Sequence, residues 1–344
     1  MKIAEISNLG EAVPPRQYGG TEYVISAVTE GLVSRKHAVT LFATGDSVTK
    51  AQLESVCDQA IGFKGINEEE AAMLLIRHLA NFARQSDKFD VIHNHILETF
   101  ALVPYLDKPF ITTLHTDLSR SAEQAILQRS EVQKTFFISI SDAQRKSLPN
   151  LPYLRTIYHG IPVQEFPFEE KRGEYLVFLG RITPEKGVEI AVEVAQKTGR
   201  KLIIAAKVDE PLSAYAKKML KLFKDSSHVE FVGQVGEEKM QLLANAYAFL
   251  MPIQWEEPFG LVVIEALATG TPVVAFQRGS MPEIIQEGKT GFLVKTTQDM
   301  VGAISRVVDL DRRECRKVVE QRFSIERMVA DYEQVFEEAV RGTS

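Results

Sequence analysis

The stretch QWEEPFGLVVIEALATGTPVVAF, residues 254–276, decides the fold of this chain. Pro258 and Gly260 mark a turn at which a helix is expected to begin. The apolar run that follows predicts a helix from Leu261 to Thr269, which Gly270 ends before PVVAF resumes as a strand. A buried helix that leads directly into a buried strand is typical of a parallel sheet covered by helices.

The same alternation of apolar β-rich runs and amphipathic helical stretches continues on both sides of this segment. The first half contains the predicted strands KIAEIS, AVTLFA, DVIHNH, PFITTL, TFFISI and RTIYH, and the second half YLVFLG, KLIIAA, VEFVG, AFLMP, PVVAF and GFLV. This pattern predicts an α/β protein with two doubly wound, Rossmann-like parallel-sheet domains.

One segment has the composition of a connection between the two domains. HGIPVQEFPFEEKRGE, residues 159–174, carries prolines and clustered charges without helical periodicity, so we predict a hinge at residues 160–172. The predicted parts are residues 1–162, residues 163–323 and a final helix in 324–344 with Ser324 as its N-cap. The apolar positions of that helix repeat with helical spacing and require a surface to pack on: Met328, Val329, Tyr332, Val335, Phe336 and Ala339.

Composition excludes several classes of protein. Of 344 residues, 45% are hydrophobic and 25% charged, which is ordinary for a folded globular protein. A formal net charge of −6 argues against a nucleic-acid partner. Cys57 and Cys315 lack the spacing of a zinc site or a disulfide framework, which favours a reducing cytoplasm. No apolar run is long enough to span a bilayer, and contact with a membrane surface is left open.

In an open parallel sheet, ligands bind beyond the carboxyl ends of the strands, so the loops there are the candidate sites. At the start of the predicted helix after Pro258, the backbone amides of Phe259, Gly260 and Leu261 are expected to face a phosphate. Glu257 lies just before this helix. Glu265 lies within it among apolar neighbours, so its carboxylate needs a partner, for which a sugar diol is suitable.

The loop GRITPEKG, residues 180–187, follows the strand YLVFL and carries two cations. Arg181 and Lys186 are expected at the carboxyl edge of the sheet, where a guanidinium and an ammonium can neutralise a diphosphate. The alternative is that both are solvated loop residues.

The first half offers three further candidates. Gly19 and Gly20 precede a helix expected near Thr21, and they would allow an anion to approach the backbone, or they form a plain strand-to-helix turn. His115 ends the run PFITTLH and either faces a ligand or is a satisfied structural residue. We interpret His93 and His95 as structural because no third metal ligand is evident, and we expect no metal site.

Several motifs together resemble the retaining glycosyltransferases of family four, of the GT-B type, which include bacterial glycogen and sucrose-phosphate synthases. The resemblance extends over nearly the whole chain through these segments: YGGTE, GRITPEKG, VEFVGQV, EPFGLVVIEALATGTPVVA, Gly279, PEII and GKTGFLV. The PPRQYGGTE opening is most similar to the antibiotic- and polysaccharide-associated subgroup typified by an avilamycin-pathway transferase.

The resemblance implies that a nucleotide-diphosphate-sugar donor lies in a central cleft between the two domains. It implies that Arg181 and Lys186 hold the diphosphate and that Glu265 holds the ribose hydroxyls. By the same resemblance, Glu257 and His115 would face the donor sugar, and Phe259 to Leu261 would offer amides to the sugar and the phosphate. The Val235 backbone would contact the base. Gly20, beside Gly19, would lie near the diphosphate and the acceptor. The last helix would pack back on the first domain.

The resemblance further implies metal-independent transfer of a hexose-type sugar to a hydroxyl acceptor, with the nucleotide sugar as co-substrate, a UDP-sugar being favoured. Relatives often carry acceptor-contacting elements where this chain has only a short segment between Cys57 and Ala80, so the acceptor stays open. Two alternatives remain, a nucleotide-sugar epimerase and a non-catalytic nucleotide-sugar-binding regulator. A nucleotide-dependent oxidoreductase is disfavoured because no Gly-x-Gly-x-x-Gly follows a strand.

Overall fold

The structure is a computed structural model that describes residues 1–16, 19–63, 65–119, 121–129, 132, 135–208, 211–236 and 238–342. The chain forms two compact units, residues 1–160 with 325–344, and residues 161–324. It passes from the first unit to the second after Gly160, two residues before the predicted boundary, and returns after Ser324. Each unit is an α/β domain with one parallel sheet.

The first unit is built on a seven-stranded sheet in the order β3-β2-β1-β4-β5-β6-β7, with every pairing parallel. Its strands are β1 (Lys2–Ile6), β2 (Ala38–Phe42), β3 (Gln52–Glu54), β4 (Val91–Asn94), β5 (Phe110–Leu114), β6 (Phe136–Ser139) and β7 (Tyr153–Thr156). The chain builds outward in one direction from β1 and then in the other from β4. The boundary between β1 and β4 is therefore the switch point at which such sheets bind ligands.

Two details of this sheet differ from the sequence prediction. Strand β3 was not predicted, because its three residues lie at the sheet edge, are partly exposed and form no apolar run. The last predicted strand, RTIYH, is displaced, since β7 starts at Tyr153 and ends at Thr156.

The described residues between these strands form the helices α1 (Gly20–Ser34), α2 (Glu68–Ala83), α3 (Ser121–Leu127) and α4 (Asp142–Arg145). Helix α1 begins one residue before the predicted Thr21, with Gly19 as its N-cap. Tyr18 of the YGGTE motif lies outside the described residues. A 3₁₀ segment, Leu97–Tyr105, follows β4.

The second unit contains a six-stranded parallel sheet in the order β10-β9-β8-β11-β12-β13. Its strands are β8 (Leu176–Arg181), β9 (Leu202–Lys207), β10 (Val229–Gly233), β11 (Ala248–Met251), β12 (Val273–Phe276) and β13 (Gly291–Val294). Its helices are α5 (Val188–Thr198), α6 (Ala214–Asp225), α7 (Glu238–Ala244), α8 (Leu261–Ala268), α9 (Met281–Ile284), α10 (Thr297–Arg306) and α11 (Arg312–Arg322). The order reverses between β8 and β11, so the loops after these two strands border the switch point.

The helix predicted in the opening stretch is α8. It ends at Ala268, one residue short of the prediction, with Thr269 as its C-cap and Gly270 at φ 85°. Five of its eight residues are buried, as expected for a helix that is apolar on most sides: Val263, Ile264, Ala266, Leu267 and Ala268.

The final helix, α12 (Ile325–Gly342), packs within the first unit. The six apolar residues singled out from the sequence are all buried. Helix α1 approaches α12 so closely that a Cβ on Gly31 would overlap the Val329 side chain. Glu333 adds an ion pair to Arg35 at 2.7 Å and a hydrogen-bond contact to His37 Nε2 at 2.6 Å. None of the helices in the described ranges has both the length and the apolar character needed to cross a bilayer.

Candidate functional site

In the second unit, the loops after β8 and β11 bring Lys186 and Glu257 together. The ammonium of Lys186 donates to Glu257 Oε2 at 2.6 Å, and the two side chains are only 14% and 11% exposed. Trp255 Nε1 donates to the same oxygen at 3.1 Å, and the Lys186 ammonium lies 5.0 Å from the centre of the indole ring. A cation and a carboxylate are thus held at the carboxyl edge of the sheet.

Two glycines that the sequence analysis gave no role make this contact possible. Gly187, at φ 67°, lies so close to the β11 loop that a Cβ would overlap the Pro252 carbonyl oxygen. Gly279, at φ 53°, lies against the backbone of Glu257 in the same way, and the next amide, Ser280 N–H, donates to the Glu257 carbonyl at 2.9 Å. In the sequence, a glycine directly after a charged loop is the pattern that could have predicted such a close approach of two backbones.

Arg181 is the last residue of β8 and is more exposed than Lys186. Its guanidinium lies 3.8 Å from the carboxylate of Glu185, and 41% of its side chain is exposed. An ion pair this long and this exposed contributes little to stability, so the guanidinium can exchange Glu185 for another anion at low cost.

The start of α8 lies beside Glu257. Gly260 is the N-cap at φ 84°, and a Cβ placed on it would be 3.5 Å from Glu257 Cγ. Phe259 is buried with its ring edge-on to Phe323, and Leu261 is the first helical residue. The amides of the first turn of a helix have no intrahelical acceptors and carry its positive dipole end, so this is the expected place for a phosphate.

Glu265 has a protein partner that the sequence did not indicate. Its Oε1 accepts a hydrogen bond from the ammonium of Lys239 on α7 at 2.7 Å, with side-chain exposures of 14% and 35%. A protein cation therefore already pairs with this carboxylate, and the contact with a sugar diol stays a prediction. Val235 lies, partly buried, in the turn after β10.

In the first unit, a carboxylate already occupies the end of α1 where an anion was expected. Glu22, in the first turn of α1, is buried and accepts from Asn8 Nδ2 at 2.6 Å. A Cβ on Gly19 would lie 2.6 Å from the Glu22 carboxylate. Glu22 thus places a carboxylate at the positive end of the α1 dipole, and a contact of Gly19 and Gly20 with a diphosphate stays a prediction.

His115 follows β5 and belongs to a buried network. Its Nε2 lies 2.8 Å from His95 Nδ1, and His95 Nε2 lies 3.0 Å from Glu5 Oε2. Glu5 also contacts His93 Nδ1 at 2.9 Å through Oε2 and at 3.0 Å through Oε1. The His115 ring stacks on His159 with centroids 5.5 Å apart.

Burial governs the ionisation of this network. It lowers the pKa of His93 to about 3 and that of His95 to about 4, and it lowers the pKa of His115 well below its usual value. Burial also raises the pKa of Glu5, which the hydrogen bond to His95 opposes. All three rings are therefore neutral at pH 7.

The prediction that no third potential metal ligand accompanies His93 and His95 is wrong. Glu5 supplies it, and one donor atom from each residue lies within 4.8 Å of the other two. The separations of 2.9–3.0 Å are those of direct N–H···O hydrogen bonds. The signal was Glu5 in β1 together with His93 in β4 and His95 directly after β4, and it becomes informative only once β1 and β4 are known to be neighbours.

Two family models match the chain. The model described as "Glycosyltransferase Family 4" matches residues 18–165, and "Glycosyl transferases group 1" matches residues 163–322. Together they cover residues 18–322. The protein belongs to the family 4 glycosyltransferases of GT-B fold.

Known proteins are similar over the full chain. Spore coat protein SA of Bacillus subtilis (strain 168) is 25% identical over 98% of this chain and 99% of its own length. Two solved structures share the fold. HepE of Anabaena has a TM-score of 0.78 and 18% sequence identity, and the match covers 98% of this chain and 100% of HepE. AviGT4 of avilamycin A biosynthesis has a TM-score of 0.71 and 23% sequence identity, and the match covers 99% of this chain and 98% of AviGT4.

Proposed function

We propose that this glycosyltransferase moves a hexose-type sugar from a nucleotide diphosphate donor to a hydroxyl acceptor, with retention of configuration and without a metal ion. The acceptor is assigned only as a hydroxyl group of a polysaccharide, glycolipid or glycoside precursor. The donor occupies the second unit, at the carboxyl ends of β8 and β11.

The observation that carries this proposal is the position of Lys186 next to the start of α8. An ammonium held 2.6 Å from Glu257, the exchangeable guanidinium of Arg181 and the amides after Phe259 together form a cationic site for a diphosphate. When the donor binds, we expect its phosphate oxygens to compete with Glu257 for the ammonium. Glu257 would then be available to the donor sugar.

These groups supply what the reaction needs. The bond between the anomeric carbon and the diphosphate oxygen breaks, and the electron pair leaves with the nucleoside diphosphate. Lys186, Arg181 and the α8 amides stabilise the negative charge that develops there. The acceptor hydroxyl attacks the oxocarbenium-like sugar on the same face, its proton passes to the departing phosphate, and Glu257 supports the positive charge electrostatically.

A uridine diphosphate donor is favoured by analogy. HepE of Anabaena, which shares the fold, was solved with UDP and with UDP-glucose. In the proposed arrangement Glu265 accepts from the ribose hydroxyls beside Lys239, and the Val235 backbone contacts the base.

The test combines nucleotide binding with turnover. UDP should raise the unfolding midpoint more than GDP or ADP, since a ligand at 100 times its Kd adds about 2.7 kcal/mol of stability. Lys186→Ala should lower kcat/KM for release of UDP from UDP-glucose roughly 100- to 1,000-fold, the usual effect of losing one stabiliser of the departing charge.

Lys197→Ala is the matched control, because Lys197 also pairs with a glutamate at 2.7 Å but lies near the far end of α5. It should retain full activity. Normal turnover in Lys186→Ala would contradict the diphosphate assignment. Loss of activity in EDTA with recovery in magnesium would contradict metal independence.

A further inference from the structure

Trp255 is the single tryptophan of the chain and lies in the loop after β11, beside the two charged groups of the candidate site. Its indole Nε1–H donates to Glu257 Oε2 at 3.1 Å, and the centre of its ring lies 5.0 Å from the Lys186 ammonium. All three residues belong to the second unit. One half-buried side chain therefore contacts both the carboxylate and the cation of this site.

The two oxygens of the Glu257 carboxylate have different surroundings. Oε2 accepts from the Lys186 ammonium at 2.6 Å and from the Trp255 indole, so both of its acceptor positions are filled. Oε1 accepts from no residue in the described ranges, and it is not sealed from solvent. Oε1 is therefore the oxygen that a ligand hydroxyl can reach.

A tight turn of the backbone holds the indole beside the carboxylate. The Glu257 N–H donates to the Trp255 carbonyl at 3.2 Å, the contact between residues two apart that defines a γ-turn. The loop after β12 supports this turn. Gly279 N–H donates to the Glu256 carboxylate at 2.6 Å, and Ser280 N–H donates to the Glu257 carbonyl at 2.9 Å. The contact between indole and carboxylate thus rests on backbone that two loops hold in place.

Donor binding would remove one of the two hydrogen bonds to Oε2. In the proposed function a phosphate competes for the Lys186 ammonium, which ends a flexible four-carbon stem and can move. A carboxylate that is only 11% exposed and lost every donor would carry the desolvation cost of an unsatisfied polar group. The indole is rigid and has only two χ angles, so it can keep its hydrogen bond when the ammonium leaves.

We propose that Trp255 is a positioning residue that holds Oε2 of Glu257 and keeps Oε1 available to a hydroxyl group of the donor sugar after a phosphate has drawn the Lys186 ammonium away. This inference rests on the proposed function and adds a residue to it. Trp255 acts through Glu257 and does not itself contact the reacting atoms. Its loss should therefore slow the transfer of the sugar and leave nucleotide binding unchanged.

The first test uses the parent protein, because a single tryptophan gives a single indole N–H signal. In ¹H–¹⁵N spectra of the full-length chain, this proton should be protected from exchange with water both without ligand and with saturating UDP. Glu257→Ala removes the acceptor and supplies the unprotected reference. Loss of protection on adding UDP, to the rate of that reference, would overturn the proposal. Equal protection in the parent and in Glu257→Ala would also overturn it, since the hydrogen bond would then be absent.

Trp255→Phe tests the consequence for catalysis, since it keeps an aromatic ring beside Lys186 and removes the N–H. With UDP-glucose as the substrate, kcat should fall about tenfold, the effect of losing one hydrogen bond, while the Kd for UDP stays unchanged. Tyr175→Phe is the matched control, because it also removes one donor from an aromatic ring. The Tyr175 hydroxyl bonds the Leu242 carbonyl at 2.7 Å, and the residue directly precedes β8, at the end opposite the candidate site. The control should keep the kcat of the parent.

Two outcomes of this comparison contradict the positioning role. Equal kcat in Trp255→Phe and the parent would overturn it. A fall in UDP affinity as large as the fall in kcat would overturn it as well, because a general distortion of the loop affects both quantities.

The two proposals fail separately. If the parent protein binds no UDP and transfers no sugar, the proposed function fails while the indole hydrogen bond of the free protein stands. If the parent transfers sugar but Trp255→Phe does so equally fast, the inference about Trp255 fails while the function stands.

Discussion

At the scale of single residues, Glu265 pairs with Lys239 and is also the residue that we propose to hold the ribose. Its pair with Lys239 lies partly in solvent, and a pair this exposed contributes at most about 1 kcal/mol. Lys239 would be hydrated if its partner were removed, so no buried charge would be stranded. The stability of the second unit should therefore depend little on Glu265.

We predict that Glu265→Ala weakens donor binding by roughly 2–4 kcal/mol through the loss of charge-assisted hydrogen bonds to the ribose. The free energy of unfolding should change by no more than about 1 kcal/mol. Calorimetry with UDP and urea unfolding of the ligand-free protein measure the two quantities. Lys239→Ala is the control, and it should retain most of the affinity. Unchanged affinity in Glu265→Ala would leave the residue a role in the ion pair alone.

At the scale of elements, the site depends on two loops being able to touch. Gly187 joins the Pro184–Lys186 turn to α5, and the β11 loop lies directly against it. The neighbouring amide of Gln254 donates to the Glu185 carbonyl at 2.7 Å. A side chain at residue 187 would force these loops apart and move Lys186 away from Glu257.

Gly187→Ala should therefore lower the free energy of unfolding by more than backbone strain alone would, and it should also reduce turnover. Gly199→Ala is the matched control, since Gly199 has nearly the same φ, 65°, but a Cβ there meets no atom within 4 Å. In the control, the free energy of unfolding should fall by about 1–2 kcal/mol, which is the cost of a left-handed backbone conformation for a residue with a Cβ. The control should keep its activity. Urea midpoints and kcat measure both effects. Equal stability and equal activity of the two variants would contradict the role of Gly187.

At the scale of the whole molecule, the chain completes its first unit only with its last helix. Helix α12 buries six apolar residues there, and Tyr332 also bonds Thr113 in the sheet at 3.1 Å. Removing the helix would expose the sheet face that carries His93. The second unit contains its own core and does not include α12.

Truncation after Ser324 should therefore destabilise residues 1–160 selectively. Hydrogen exchange followed by mass spectrometry should show lost protection in β1, β4 and β5 and retained protection in β8, β11 and β12. A chain ending at Gly342 is the control and should match the parent. Equal loss of protection in both sheets would show instead that the two units unfold together.

Sequence periodicity was enough to predict most of the architecture. Strands inside a parallel sheet are apolar over most of their length, so the sequence predicted every strand of the described residues except β3, a three-residue edge strand with no apolar run. The start of α8 and the loop that carries Arg181 and Lys186 were also predicted, because glycine and proline mark where helices begin.

By itself, the sequence determined the two α/β domains, the family motifs and the residue types of the proposed donor site, because these depend on local periodicity and spacing. Only the tertiary structure decided which groups meet. Glu5 and His93 are 88 residues apart in the chain and become neighbours through the register of β1 on β4, in which they are paired. Lys239 and Glu265 likewise meet only in the folded chain, because α7 and α8 pack side by side. Partners of this kind are fixed by how strands and helices pack, which no local pattern encodes.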